Sequence, residues 1–155
     1  RAFLNRGGRT GFVGGSDTHE GKPVARTAVL GRQLTRTALF DALRQRRSYA
    51  VTQDRIELDF RINGHFMGEE IEARGDPRIV VEASGTDRIE ELVLIRDGAA
   101  LYSFNPGKRQ VRFACVDRSL VRSGYYYVRV RQTNRDEQRK QNYPSAYPSH
   151  QASSS

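Results

Sequence analysis

Asp17 and His19 stand two residues apart in the stretch Gly11-Phe12-Val13-Gly14-Gly15-Ser16-Asp17-Thr18-His19-Glu20-Gly21. In extended backbone such a pair shares one face, so a carboxylate oxygen and an imidazole nitrogen can reach one point just past a strand end. Those donors suit zinc, manganese and iron alike, and the pair therefore indicates a divalent metal without choosing it. The stretch reads as a short buried strand entering a turn, where Gly14 and Gly15 permit close backbone approach. Its plainer reading is a turn in which Asp17 bonds nearby amides and His19 is a surface residue. Arg26 can meet an anionic substrate, because a guanidinium matches phosphate or carboxylate geometry. In an arginine-rich chain the plainer reading of Arg26 is a solvated cation. Ser16 has no partner in the sequence that would make it a nucleophile, and no general acid or base can be assigned.

The elements that must position these residues follow from spacing. Gly7-Gly8 stops whatever helix or loop precedes the motif, and Pro23 with Ala28-Val29-Leu30 suggests a loop skirting the mouth of the site. Thr35 can cap a helix over about 36–47, with Leu34, Ala38, Leu39, Ala42 and Leu43 at helical spacing. Arg44, Arg46 and Arg47 then fall in the last turn, where the helix dipole favours cations.

From Asp54 the period changes to alternation. Ile56, Leu58, Phe60 and Ile62 alternate with charged residues, and Asn63-Gly64 is a strong hairpin signal. Phe66, Ile71 and Ala73 can form the return strand. Further strands are expected around Ile79-Val80-Val81, over 91–96, 100–104, 111–116 and 125–132. About seven short strands argue for an antiparallel β-sandwich of immunoglobulin or fibronectin type. His65, Met67, Glu69 and Glu70 gather beside the Asn-Gly turn, where the choice lies between a ligand set and a solvated hairpin tip. Tyr125-Tyr126-Tyr127 offers a stacking platform for a sugar or nucleotide. Alternation, however, puts Tyr126, Val128 and Val130 on one face and Tyr125, Tyr127, Arg129 and Arg131 on the other, which ordinary strand packing explains.

Gly14-Gly15-Ser16-Asp17-Thr18-His19, followed by Gly21, Pro23 and Thr27-Ala28-Val29-Leu30, resembles the last metal-ligand motif of PHP-domain (polymerase and histidinol phosphatase) hydrolases. Leu34-Thr35-Arg36, Ala38-Leu39-Phe40-Asp41-Ala42-Leu43-Arg44 and Arg47-Ser48-Tyr49-Ala50 extend the likeness. Together with Arg61-Ile62-Asn63-Gly64 and Met67-Gly68 they resemble the PHP-related branch that carries a C-terminal β-sandwich. The likeness spans about residues 1–132. It implies an α+β fold, with the C-terminal end of a distorted β/α barrel over 1–53 and the sandwich over 54–132. The polar segment 133–155 is expected to be disordered. The resemblance also implies a metal-dependent phosphoesterase in which Asp17 and His19 ligate zinc, manganese or iron, and a small phosphorylated substrate in the complete protein. The family's early His-x-His motifs are absent, since neither His65 nor His150 sits in one. The chain is thus expected to be a C-terminal fragment, inactive alone, because two ligands seldom hold a catalytic metal. The alternative class is a noncatalytic β-sandwich module that binds protein or carbohydrate.

Composition bounds these expectations. The 155 residues carry a net charge of +8, and 23 of the 26 basic residues are arginines scattered along the chain. A dedicated nucleic-acid module concentrates its basic side chains, so no specific nucleic-acid partner is expected, and any association would be salt-sensitive. No run of eighteen apolar residues points to a membrane span. Cys115 has no second cysteine with which to pair. If the terminal strand is lacking, the open sheet edge invites self-association.

Overall fold

The computed structural model describes residues 2–15, 25–52 and 55–133. Asp17 and His19 lie outside these residues, as does the expected polar tail beyond Thr133.

A short helix, α1 (Ala2–Asn5), is closed by Gly7, whose φ of +80° suits glycine alone. Residues 11–15 form no strand, and Val13 is 70% exposed, so the expected buried strand before the motif is not present. Two short strands, β1 (Arg26–Val29) and β2 (Ser48–Val51), pair antiparallel. The first of them replaces the loop expected at Ala28-Val29-Leu30. Between them runs α2 (Arg36–Arg44), where Thr35 Oγ1 accepts from the Ala38 amide at 3.2 Å, as its N-cap position requires. The helix stops three residues earlier than its spacing suggests, and Arg46 adopts φ +58°.

This arrangement corrects the expected fold class. A β/α barrel needs parallel strands joined by helical crossovers. Here the strands flanking α2 are antiparallel, and the described residues are mostly β, with no β/α barrel among them. The N-terminal portion is a strand pair with one helix.

The remaining strands are β3 (Glu57–Ile62), β4 (His65–Phe66), β5 (Arg78–Arg96), β6 (Ala99–Phe104), β7 (Lys108–Val116) and β8 (Tyr126–Gln132). Asn63 and Gly64, at φ +51° and +83°, make the β3–β4 turn as their dipeptide predicts. Ile71 and Ala73 do not extend β4. The two segments expected as separate strands, around 79–81 and over 91–96, are one 19-residue strand. β6 and β7 run back beside it in succession, from Arg96↔Ala99 to Arg78↔Val116. On the opposite edge of β5, β3 flanks the first half and β8 the second. The six strands therefore form a single antiparallel sheet bent on itself. The result is a sandwich folded from one continuous sheet, in place of the two separately stranded sheets of an immunoglobulin type.

The bend lies where pairing is interrupted, between Ser84 and Ile89. Gly85 leaves room there for Gln132, whose Oε1 would lie 2.5 Å from an added Cβ. Buried Gln132 donates to Thr86 Oγ1 at 2.8 Å. Folding the sheet over brings Phe60, Ile79 and Val81 against Leu92 and Leu94. Each such side chain contributes about 1.5–3 kcal/mol by leaving water. Tyr126, Val128 and Val130 face this core, in agreement with the alternation in the sequence.

Candidate functional site

The described residues on either side of Asp17 and His19 are tied together. Gly14 donates its amide to Thr27 Oγ1 at 3.0 Å, and the same hydroxyl donates to the Gly14 carbonyl at 2.9 Å. An added Cβ on Gly14 would stand 2.5 Å from the Arg26 carbonyl oxygen, so only glycine permits this approach. Buried Ser48 donates to the Phe12 carbonyl at 3.0 Å, fastening the incoming segment to β2. Gly14 and Arg26, on either side of the Asp-x-His stretch, thus lie side by side. Arg26, first residue of β1, stands exposed. The structure therefore places Arg26 beside Gly14, while the two expected metal ligands fall outside the described residues.

The polar group beside the Asn-Gly turn has a different task. His65 Nδ1 lies 3.0 Å from Glu69 Oε2, and Glu69 meets Arg47 at 3.3 Å. Glu70 pairs with Arg9 at 2.7 Å and Arg46 at 3.2 Å. Arg46 Nε also donates to the Gly68 carbonyl at 3.0 Å. The contact with His65 holds the Glu69 carboxyl below its usual range. These carboxylates are committed to arginines, so they clamp the end of α2 onto the sandwich. Among the described residues no group of three or more His, Cys, Asp or Glu side chains is placed to hold a metal.

Tyr49 adds a second fastening, donating to the Ile56 carbonyl at 2.9 Å and accepting from the Leu58 amide at 3.2 Å. Burial pushes its hydroxyl pKa up and keeps it a donor. Between the N-terminal portion, β3 and β8 lies a cleft of about 410 Å³, with Phe12, Tyr49, Leu58, Phe60, Met67 and Tyr127 among its walls. Phe12 packs on Tyr127 at 5.4 Å between ring centroids, and Tyr125 stacks parallel to Tyr127 at 6.3 Å. The outward tyrosines thus pack across the seam and also line the cleft.

One polar centre had no counterpart in the sequence reading. Asp117, 2% exposed, accepts from Arg96 at 2.6 Å, Tyr126 at 2.8 Å, and the Ser119 hydroxyl and amide at 2.7 and 2.9 Å. Burial by itself would raise its carboxyl pKa. The bonds from Ser119, Tyr126 and Arg96 outweigh burial and lower it to about 2. Tyr126 is pushed up, first by burial and then by Asp117, and so stays a donor. This cluster ties together the ends of β5, β7 and β8. The local Asp-x-Ser turn was its one visible signal.

No protein-family profile matches the chain, and no solved structure matches it. It is 29% identical over 162 residues to an uncharacterized protein of Chlamydia trachomatis, covering 84% of this chain and 26% of that protein. A Chlamydia muridarum protein, likewise uncharacterized, is 28% identical with the same coverage. One from Chlamydia pneumoniae is 29% identical over 126 residues, or 70% of this chain and 20% of that protein. The chain therefore spans about a quarter or less of the length of the curated relatives it matches.

Proposed function

We propose that this chain contributes Asp17 and His19 as one ligand pair of a divalent-metal site in a phosphoester hydrolase. The other ligands come from polypeptide outside these 155 residues. The observation that carries this reading is the Gly14–Thr27 neck, which fastens the chain just before the Asp-x-His stretch to β1, the strand that follows it. A ligand pair needs such a fastening, because a loose loop would lose binding energy to ordering. Carboxylate and imidazole suit zinc, manganese or iron in kind, but two donors fall short of the three that a catalytic site uses. When bound, the ion supplies Lewis acidity toward water and the phosphoryl oxygen. Arg26 at the neck supplies a guanidinium for a phosphate oxygen of a small phosphorylated substrate. The resemblance of the motif to PHP-domain hydrolases supports the reaction class.

Metal content and phosphodiester hydrolysis test the reading, in the isolated chain and in the longer polypeptide that contains it. The isolated chain is expected to hold no stoichiometric metal and to be inactive. The longer polypeptide is expected to hold metal and to lose it, with activity, in the Asp17→Ala/His19→Ala variant. Metal and turnover retained by that variant would overturn the proposal.

The aromatic cleft favours a second reading, a noncatalytic module that binds protein or carbohydrate against Tyr125 and Tyr127. Under it, the longer polypeptide carries no metal, and ligand binding survives the double substitution.

A further inference from the structure

The two portions of the chain bury their apolar residues very unequally. Among the described residues, the sandwich supplies nine of the ten buried hydrophobic residues, and residues 2–52 supply only Ala42. Those same N-terminal residues hold six of the nine large hydrophobic side chains that remain exposed. Three of the six, Leu34, Phe40 and Leu43, lie on α2 or immediately before its cap. At 100° per residue, Ala38, Leu39 and Ala42 span the arc that turns inward, while Leu43 and Phe40 continue the apolar surface beyond it. Leu43 is 42% exposed, Phe40 53%, and Leu34, just before the Thr35 cap, 93%. The helix thus carries a wider apolar face than β1 and β2 cover.

We propose that this outward face of α2 is an interface covered by another part of the same, longer polypeptide, the part corresponding to the length of the relatives that lies outside the match. Relatives of which the chain covers only 20–26% have ample length to supply it. The rim gives the partner its chemistry. Arg32, Arg36 and Arg44 are exposed, and none is ion-paired among the described residues. Arg36 leans over the Phe40 ring at 5.7 Å. The complementary surface is an apolar patch bordered by carboxylates. The same arginines disfavour a second copy as occupant, because face-to-face pairing would bring like charges together within a molecule of net charge +8. This inference shares with the proposed function the premise of a longer polypeptide, but it does not depend on the metal.

Amide hydrogen exchange over 36–44 tests it, measured in the isolated chain and in the longer polypeptide. Exchange is expected to be about 100-fold slower in the longer polypeptide, since covered helices open less often. Phe40→Glu/Leu43→Glu is expected to restore the fast rate there, and Val121→Glu, a substitution at another exposed apolar residue, to leave it slow. Leu34→Glu serves as a milder variant, because Leu34 lies outside the helix and its loss leaves the chain's own packing intact. Equal rates in the two polypeptides would overturn the inference. So would an isolated chain that dimerises and becomes monomeric with Phe40→Glu/Leu43→Glu, which would assign the face to a second copy. Failure of metal binding alone, with protection of 36–44 retained, would remove the hydrolase reading and leave this one standing.

Discussion

Asp117 shows how a single buried carboxylate can organise three strand ends. Its folded pKa of about 2 lies below the ordinary 3.8. A lowered carboxyl stabilises the fold above its unfolded value, and that contribution is lost as pH falls through the folded value. Between about pH 4 and about pH 2 this group alone should therefore withdraw about 2 kcal/mol. Urea unfolding across that window measures it against Asp117→Asn, which has no carboxyl to protonate and should give a flatter profile. Identical slopes would show that the bonds from Arg96, Tyr126 and Ser119 do not hold the charge in solution. The sequence offered only Asp117-Arg118-Ser119 as a turn signal. Arg96 is 21 positions away, and nothing local announces that it returns to the same point. Asp17 and His19 are the opposite case, since their chemistry is visible in their types and spacing. What the fold adds is the neck between Gly14 and Thr27, with Arg26 exposed beside it.

The elements divide into those specified locally and those specified by their neighbours. Thr35 caps α2, and Asn63-Gly64 turns β3 into β4, because each depends on backbone preferences within four residues. β1 was hidden, because Arg26-Thr27-Ala28-Val29 is too short to show alternation and gains its identity by pairing with β2. The join between the N-terminal portion and the sandwich rests on Tyr49 and on the Arg46, Arg47, Glu69 and Glu70 clamp. Tyr49→Phe removes two hydrogen bonds and leaves the Leu58 amide without its hydroxyl partner. The expected loss is about 1–3 kcal/mol in chemical denaturation. An unchanged midpoint would mean that water replaces the hydroxyl at no cost. The charged members of the clamp are partly exposed, and individual substitutions there should matter less than Tyr49.

Across the whole molecule, stability should be as uneven as burial. Leu94 is fully buried where the two halves of the bent sheet meet, and Leu94→Ala should cost about 2–5 kcal/mol. Leu34 is 93% exposed, and Leu34→Ala should change the isolated chain by no more than about 0.5 kcal/mol. Thermal or urea unfolding of the two variants side by side checks the contrast, and comparable losses would contradict the burial described. Among the described residues no helix is long and apolar enough to cross a membrane. The arginines are dispersed, with several engaged in ion pairs across strands, such as Arg112 with Glu82 and Arg131 with Glu90. By itself the sequence determined the alternating strands from Glu57 onward, the Asn-Gly turn and the capped helix. Each of these is written in periodicity or in the φ preferences of adjacent residues. Only the tertiary structure decided that residues 78–96 form one bent strand, that β1 and β2 run antiparallel with no β/α barrel, and that Asp117 and Gln132 are buried. Those outcomes rest on contacts between residues as far as 46 positions apart, as between Thr86 and Gln132, where the energy of closing the fold overrides any local signal.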